Sequence, residues 1–312
     1  MTMKPGGKDV FWMAFGAAML LAVMLVVLHV QKGQSPADQL AFKAKRVDLV
    51  ERMRLALASA SEAEKSAVMA ITDEDSQKYA DQARAATAEV NQGSKELSDL
   101  LQMGGVANEK ELLAQFSKVF AEFQHIDSDL LVLAVKNTNL KAYSLAFGPA
   151  AATLQEMDTA LSHVVEKSAV APEARNIALL AFGAQTAALR VQALLAPHIA
   201  EESDQKMDEM EARMTKEDQT VRKDLDELAK LPMFSGDTDL ATATASYANF
   251  SKLRTQILAL SRENTNVRSL AISLNQKRKV MLVCQDALAA LQQAILQEHI
   301  DGVNYGPPSN PR

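Results

Sequence analysis

Histidine, cysteine and carboxylate side chains are the groups in this chain that could support catalysis or hold a metal. No two of the five histidines share a helix face at the spacing of metal ligands. Acidic residues are plentiful, but the Glu-x-x-His pairs of a di-iron bundle do not recur. We therefore predict no catalytic residues, no metal site and no cofactor. The histidines are His29, His125, His163, His198 and His299.

The single cysteine and the net charge exclude further classes of function. Cys284 cannot form an internal disulfide, and the chain has no C-x-x-C-H motif for covalent haem. Its surroundings indicate a small buried apolar residue on a helix. The net charge of −6 argues against nucleic acid as a partner, because non-specific binding usually needs a basic face.

Two copies of an Asn-Thr-Asn motif are the most specific polar feature of the sequence. "KNTNLKAYSLAF" begins at Lys136 and "ENTNVRSLAISL" begins at Glu263. The two copies could be a shared turn or a pair of ligand sites. Asparagine tolerates left-handed geometry and caps helices, so structural capping at two hairpin tips is favoured, with Asn139 as an N-cap. The tip asparagines are Asn137, Asn139, Asn264 and Asn266.

An internal repeat accounts for the two copies. "FAEFQHIDSDLLVLAVKNTN" from Phe120 aligns with "YANFSKLRTQILALSRENTN" from Tyr247, an offset of 127 residues. Upstream, "ITDEDSQK" from Ile71 aligns with "IAEESDQK" from Ile199, an offset of 128. The near-constant offset indicates a tandem duplication of modules of about 130 residues.

The elements that must position these residues are helices. The chain is 48% hydrophobic and rich in strong helix formers, which predicts an all-α protein. Leu112, Phe116, Val119 and Phe123 begin a bundle-like seam of alternating four- and three-residue spacings. Pro149, after Gly148, is expected to kink the fourth helix or to interrupt it with a tight bend. The predicted helices are 36–71, 74–103, 109–136, 139–169, 173–200, 203–231, 239–263 and 266–300.

Short turns between long helices predict two tandem antiparallel four-helix bundles, residues 35–170 and residues 172–300. A flexible tail, residues 301–312, follows the second bundle.

The N-terminal part of the chain predicts a membrane anchor. Residues 10–30 read VFWMAFGAAMLLAVMLVVLHV, which is uncharged and long enough to cross a bilayer as a helix. A cleaved signal peptide is the alternative, but the apolar run is long for one and no good cleavage site follows. We predict a single-pass protein with residues 1–9 in the cytoplasm. The flanking lysines do not decide the orientation.

The segments "SEAEKSAVMAITDEDSQKYADQARAA" and "IDSDLLVLAVKNTNLKAYSLAFGPAAATLQEM" resemble the periplasmic four-helix-bundle sensor domain of methyl-accepting chemotaxis receptors. The resemblance covers residues 35–169. It implies a bacterial inner-membrane protein with the bulk of the chain in the periplasm. The second membrane span and the cytoplasmic signalling region of those receptors have no counterpart here, so a signal would have to pass through a partner.

If the chain is anchored in the membrane at its N-terminus, four antiparallel helices bring the end of each bundle back to the membrane. This connectivity predicts that the two bundles lie side by side. The resemblance then implies a ligand between the bundles in their distal half, with an arginine holding a carboxylate. Arg190 lies in an apolar run opposite Glu62 of the first module, and an ion pair or a solvated face is the commoner interpretation. The polar residues expected near this site are Lys65, Tyr143, Arg190, Gln192, Arg268 and Asn275.

The sequence thus favours a membrane-anchored, non-enzymatic, sensor-like protein that binds a small organic ligand or a partner membrane protein, with a homodimer also open. The alternative is a purely structural helical scaffold of the cell envelope. A truncated receptor is a third hypothesis.

Overall fold

The computed structural model describes residues 35–300, and this part of the chain is helical apart from short turns. The all-α class is confirmed, and the eight predicted helices are found within a few residues of their expected bounds. The predicted anchor at 10–30, the segment 1–9 and the tail 301–312 lie outside the described residues. The α-helices are α1 Pro36–Met69, α2 Asp73–Gly104, α3 Ala107–Ala134, α4 Thr138–Phe147, α5 Pro149–Lys167, α6 Ala174–Ala200, α7 Asp204–Ala229, α8 Thr238–Glu263, α9 Thr265–Ile272 and α10 Arg278–Gln297.

Side-chain caps explain where several helices begin. The Thr72 hydroxyl accepts a hydrogen bond from the Asp75 amide at 3.1 Å, at the acidic turn that predicted the start of α2. Asp237 accepts from the Leu240 amide at 2.9 Å at the start of α8. Ser35 and Asp38 form a capping box at α1. Each cap satisfies amides that the helix itself leaves free.

The fourth helix of each repeat is interrupted at the same level. In the first repeat, Gly148 and Pro149 separate α4 from α5, which confirms the predicted break. In the second repeat, a π turn at Ser273–Lys277 separates α9 from α10. The 127-residue offset places this turn opposite the Gly-Pro break, although the second copy contains no proline there. The sequence did not predict the π turn.

The helices form two four-helix bundles. Bundle A consists of α1, α2, α3 and the segment from α9 through the π turn to α10. Bundle B consists of α4 and α5 as one interrupted helix, together with α6, α7 and α8. The core of bundle A joins Phe116 and Phe123 of α3 to Leu288 and Leu291 of α10.

This grouping differs from the expected division into residues 35–170 and 172–300. The fourth helix of each repeat packs in the bundle formed by the first three helices of the other repeat. Because the repeats are related in sequence, either fourth helix presents a similar apolar face, and periodicity alone could not choose between them.

The two bundles meet end to end, so the expected side-by-side placement is wrong. Among the described residues, the helices of bundle A do not pack along those of bundle B, and the main helix contact between the bundles is α9 against α4. At the far end of bundle A, Lys43 Nζ donates to the carbonyls of Leu296 at 2.8 Å and Glu298 at 2.7 Å. At the far end of bundle B, Lys167 Nζ donates to Asp239 at 2.8 Å. At ~1.5 Å per residue the rod is ~90 Å long.

Two stretches of the described chain are long and apolar enough to span a membrane by length and composition, Ala174–Ala200 and Thr238–Gln297. Both consist of bundle helices. Helix α6, for example, buries Ile177, Ala184 and Val191 in the core of bundle B. Length and composition alone therefore do not decide the number of spans, and the single-pass topology stays a prediction.

Candidate functional site

The two Asn-Thr-Asn motifs meet at the junction of the bundles. Asn137 and Asn264 adopt left-handed conformations, with φ of 51° and 53°. Asparagine tolerates this region better than other side chains that carry a Cβ. At each of these residues the chain leaves one bundle and enters the other, and we call this paired passage the crossover.

Reciprocal hydrogen bonds give the crossover approximate two-fold symmetry. The hydroxyls of Thr138 and Thr265 lie 3.2 Å apart, and each accepts from the backbone amide of the other residue at 3.2 Å. The Asn139 amide donates to Asn266 Oδ1 at 3.2 Å, and the Asn266 amide donates to Asn139 Oδ1 at 3.1 Å. Both threonines and Asn139 are buried. The motif is therefore an interface between the repeats.

The amide groups of the asparagines bind the ends of neighbouring helices. Asn139 Nδ2 donates to the carbonyl of Ile199 at 2.6 Å, and Asn264 Nδ2 donates to that of Glu201 at 2.8 Å. Asn137 Nδ2 donates to Asp73 at 3.1 Å. The expected cap at Asn139 is wrong, because the residues before α4 and α9 are Asn137 and Asn264, and neither makes a side-chain cap. The prediction of hairpin tips is also wrong, because the chain passes from one bundle into the other at each motif, in the middle of the rod.

A cluster of buried charges lies below the crossover in bundle A. Lys277, the last residue of the π turn, forms an ion pair with Asp127 of α3. The Lys277 ammonium also lies 4.0 Å from the centroid of the Phe123 ring, within cation–π distance. Glu64 of α1 is fully buried, and neither of its oxygens has a hydrogen-bond partner.

Burial dominates the electrostatics of Glu64. Loss of hydration raises the pKa of its carboxyl group, and nearby Asp127 raises it further. The positive charge of Lys277 lowers this pKa, and so does the nearby Ser273 hydroxyl. The Ser273 hydroxyl does not form a hydrogen bond of normal geometry with Glu64. The resulting pKa lies above the ordinary value.

The fourth helix of bundle B is apolar at the same level. The 127-residue offset pairs Ser273 with Ala146 and Lys277 with Ala150, and both alanines are buried in the core of bundle B. The repeat thus folds with or without charges at this level.

Bundle B has a polar network at its own crossover end. His198 is fully buried, with Nδ1 2.8 Å from Ser261 Oγ and Nε2 2.9 Å from Glu211 Oε1. The order Ser–His–Glu is that of a hydrolytic triad. However, Ser261 is fully buried and donates to the His198 carbonyl at 3.1 Å, so its hydroxyl group is not placed to attack a substrate. Burial lowers the pKa of His198, and the charge of Arg262 adds to this, while Glu211 opposes it.

Buried ion pairs also close the far end of bundle A. Arg46 of α1 binds Glu109 of α3 and Glu298, which follows α10. Arg46 and Glu109 are buried, yet Arg46 Nε and Glu109 Oε1 have no partner. Burial raises the pKa of Glu109, and Arg46 opposes this effect. This end of the bundle therefore depends on charges contributed by three helical regions.

Two surface grooves of bundle B are large enough for a small molecule. One, of about 290 Å³, lies between α6 and α7 and is lined by Arg190, Arg213, Lys216 and Glu217. The other, of about 560 Å³, lies between α5 and α8. The first groove carries three cations against one carboxylate, so it favours an anionic ligand.

The six residues predicted to hold a ligand are not brought together. Arg190 pairs with Glu217 at 3.4 Å, in agreement with the ion-pair interpretation. Tyr143 donates to the Ala196 carbonyl at 3.3 Å, and Arg268 lies 3.8 Å from Asp204. The remaining residues are dispersed: Lys65 and Asn275 are exposed on bundle A, and Gln192 is half-buried on α6. Of these six residues, only Arg190 lines the basic groove.

The family comparison agrees with the all-α bundle fold. Residues 45–175 match the family model described as a four helix bundle sensory module for signal transduction. The match confirms the resemblance to chemoreceptor sensor domains, and the family is one of signalling modules and not of enzymes. No curated protein and no solved structure matches the chain.

The matched segment is divided between the bundles. It comprises α1, α2 and α3 in bundle A, then α4 and α5 in bundle B. A unit that has four helices in sequence is thus shared between two bundles in space.

Sequence reasoning missed the buried charges, although a signal for them exists. Lys277 begins the run Met281, Cys284, Leu288 and Leu291, at the spacing of one buried helix face. Asp127 likewise stands between buried Phe123 and Leu130. A charged residue at a position that the helical spacing assigns to the core is therefore the signal for a buried charge. Cys284 itself is buried as predicted, and burial raises its pKa to about 12.

Proposed function

We propose that this protein is a membrane-anchored periplasmic sensory module that binds a small anionic ligand on bundle B and relays the binding through the crossover to bundle A. The family match supports a role in signal transduction. The ligand, the anchor and the location are the parts that we add.

The crossover is the observation that carries the proposal. At the crossover α3 of bundle A continues into α4 of bundle B, and α8 of bundle B continues into α9 of bundle A. A change in the packing of bundle B can therefore reach bundle A through these two connections. Coupling between sites requires such a physically connected element. The first turns of α1, which follow the predicted anchor in the sequence, lie against the end of α10 at the far end of bundle A.

The basic groove is the proposed ligand site. Arg190 is 10 residues before the end of α6, which places it ~15 Å from the crossover. Arginine side chains bind carboxylates through paired N–H groups. A small organic acid therefore fits the groove by charge and by size.

The test uses the full-length protein in detergent. We expect one or more organic acids to raise its melting temperature in a screen, and Arg213→Gln or Lys216→Gln to weaken the effect. Lys223→Gln, an exposed lysine of the same helix outside the groove, is the matched control.

A second measurement separates a sensor from a scaffold. Hydrogen exchange with and without ligand should change in α10, although no residue of α10 lines the groove. A scaffold would respond to no metabolite, and a ligand effect confined to α6 and α7 would show binding without relay.

A further inference from the structure

The Glu64 carboxyl group is an unusual feature for a bundle core. It is fully buried, and both of its oxygens lack a hydrogen-bond partner. A buried polar group without partners costs about 1–3 kcal/mol, and an ionised one costs more. The groups that act on it are Lys65 of its own helix, Asp127 of α3, and Lys277 and Ser273 of the π turn. After burial itself, these groups have the largest effects on its pKa.

The charges of the cluster do not balance. Glu64 and Asp127 carry two negative charges when ionised, and Lys277 carries one positive charge. Asp127 already has Lys277 as its ion-pair partner. A buried site tolerates a net charge poorly, so one proton on the remaining carboxyl group restores neutrality.

The second repeat shows that folding does not require this cluster. By the repeat offsets, Glu64 corresponds to Gln192, Asp127 to Arg254 and Lys277 to Ala150. Of these three positions in bundle B, only that of Arg254 is charged, and Arg254 pairs with Asp218 at 3.0 Å. The combination of two carboxyl groups and one ammonium group at this level is therefore particular to bundle A.

We propose that Glu64, Asp127 and Lys277 form a buried proton-binding site, with Glu64 carrying the proton at neutral pH. Loss of that proton leaves two carboxylates competing for Lys277. Lys277 is the last residue of the π turn, and such turns are frequent at functional sites. Deprotonation therefore shifts the fourth helix of bundle A directly below the crossover. The proposal stands whether or not the basic groove binds a ligand.

Infrared spectroscopy of the full-length protein in detergent tests the site directly. At neutral pH we expect the band of a protonated carboxyl group in the wild type, its loss as the pH is raised, and its absence in Glu64→Gln. The matched control is Glu62→Gln, since Glu62 is exposed on the same helix. A wild-type spectrum without a protonated carboxyl group at neutral pH overturns the proposal.

The pH dependence of folding gives an independent readout. A carboxyl group whose pKa is raised by folding binds its proton in the folded state first, so stability falls as the pH rises from about 4.3 to the raised pKa. Over that range the folding constant of the wild type should fall up to tenfold per pH unit relative to Glu64→Gln. Parallel curves for the two proteins would contradict the proposal.

A small cation is the competing occupant of the site. Stability is therefore measured in sodium, potassium and choline chloride at equal ionic strength. We expect no difference that depends on Glu64. Stabilisation by sodium or potassium in the wild type and in Glu62→Gln, but not in Glu64→Gln, would show a cation site in place of a proton site.

Discussion

Replacement of Asn139 by alanine tests the crossover most directly. The side chain donates to the Ile199 carbonyl at 2.6 Å and to Asn264 Oδ1 at 2.7 Å, and it accepts from the Asn266 amide at 3.1 Å. Alanine leaves two buried acceptors and one donor without a partner. At about 1–2 kcal/mol for each unsatisfied group, the lower part of the usual range, Asn139→Ala should cost about 3–6 kcal/mol of unfolding free energy.

The repeat supplies a graded comparison. Asn266, the counterpart of Asn139, accepts from the Asn139 amide at 3.2 Å and donates to Asn137 Oδ1 at 2.9 Å. With two bonds at stake, Asn266→Ala should cost about 2–4 kcal/mol. Asn275 is exposed, so Asn275→Ala should change stability by no more than about 0.5 kcal/mol.

Urea unfolding followed by circular dichroism, in one detergent and at one pH, measures all three variants. The crossover predicts that Asn139→Ala lowers the unfolding free energy most, Asn266→Ala less, and Asn275→Ala least. If the chain instead folded back at each motif, Asn139 would be an exposed tip residue. A cost for Asn139→Ala below about 1 kcal/mol would refute the crossover.

Three further predictions concern the bundles themselves. Lys277→Met should destabilise the protein by about 3–5 kcal/mol in urea unfolding, because it leaves Asp127 buried without a cation, whereas Lys279→Met, at an exposed position, should have little effect. The folded state lowers the pKa of His198, so the unfolded chain takes up the proton first; thermal melts should show that His198→Gln loses less stability than the wild type as the pH falls below about 6.5. Residues 138–263, which form bundle B without interruption, should fold alone and unfold cooperatively by circular dichroism, and a fragment without a cooperative transition would contradict the grouping of helices.

Most helix bounds followed from local chemistry. The start of α2, predicted at 74 and found at Asp73, and the interruption at Pro149 were readable because they depend on a few neighbouring residues. The π turn at Ser273–Lys277 was not, since its sequence contains no helix breaker. Its position opposite the Gly-Pro break becomes meaningful only when the two repeats are compared in space.

The candidate ligand residues show the limit of reasoning by location. They were chosen for a distal interface between parallel bundles, an interface that the end-to-end arrangement removes. Arg190 alone lines a groove with other cations, which belong to α7. Their approach to Arg190 depends on how α6 packs on α7, and neither helix alone predicts it.

Periodicity, caps and the internal offset were sufficient to determine an all-α chain of two related four-helix modules. The exchange of fourth helices was decided only by tertiary structure, and buried charges supply a physical reason. Without the exchange, Ala150 would face Asp127 and Glu64, and Lys277 would face Arg254. The exchange pairs Lys277 with Asp127, and likewise Arg46 with Glu298, whose counterpart in the first repeat is Ala171. Apolar faces of related repeats are interchangeable, whereas a buried charge accepts only a partner of opposite sign.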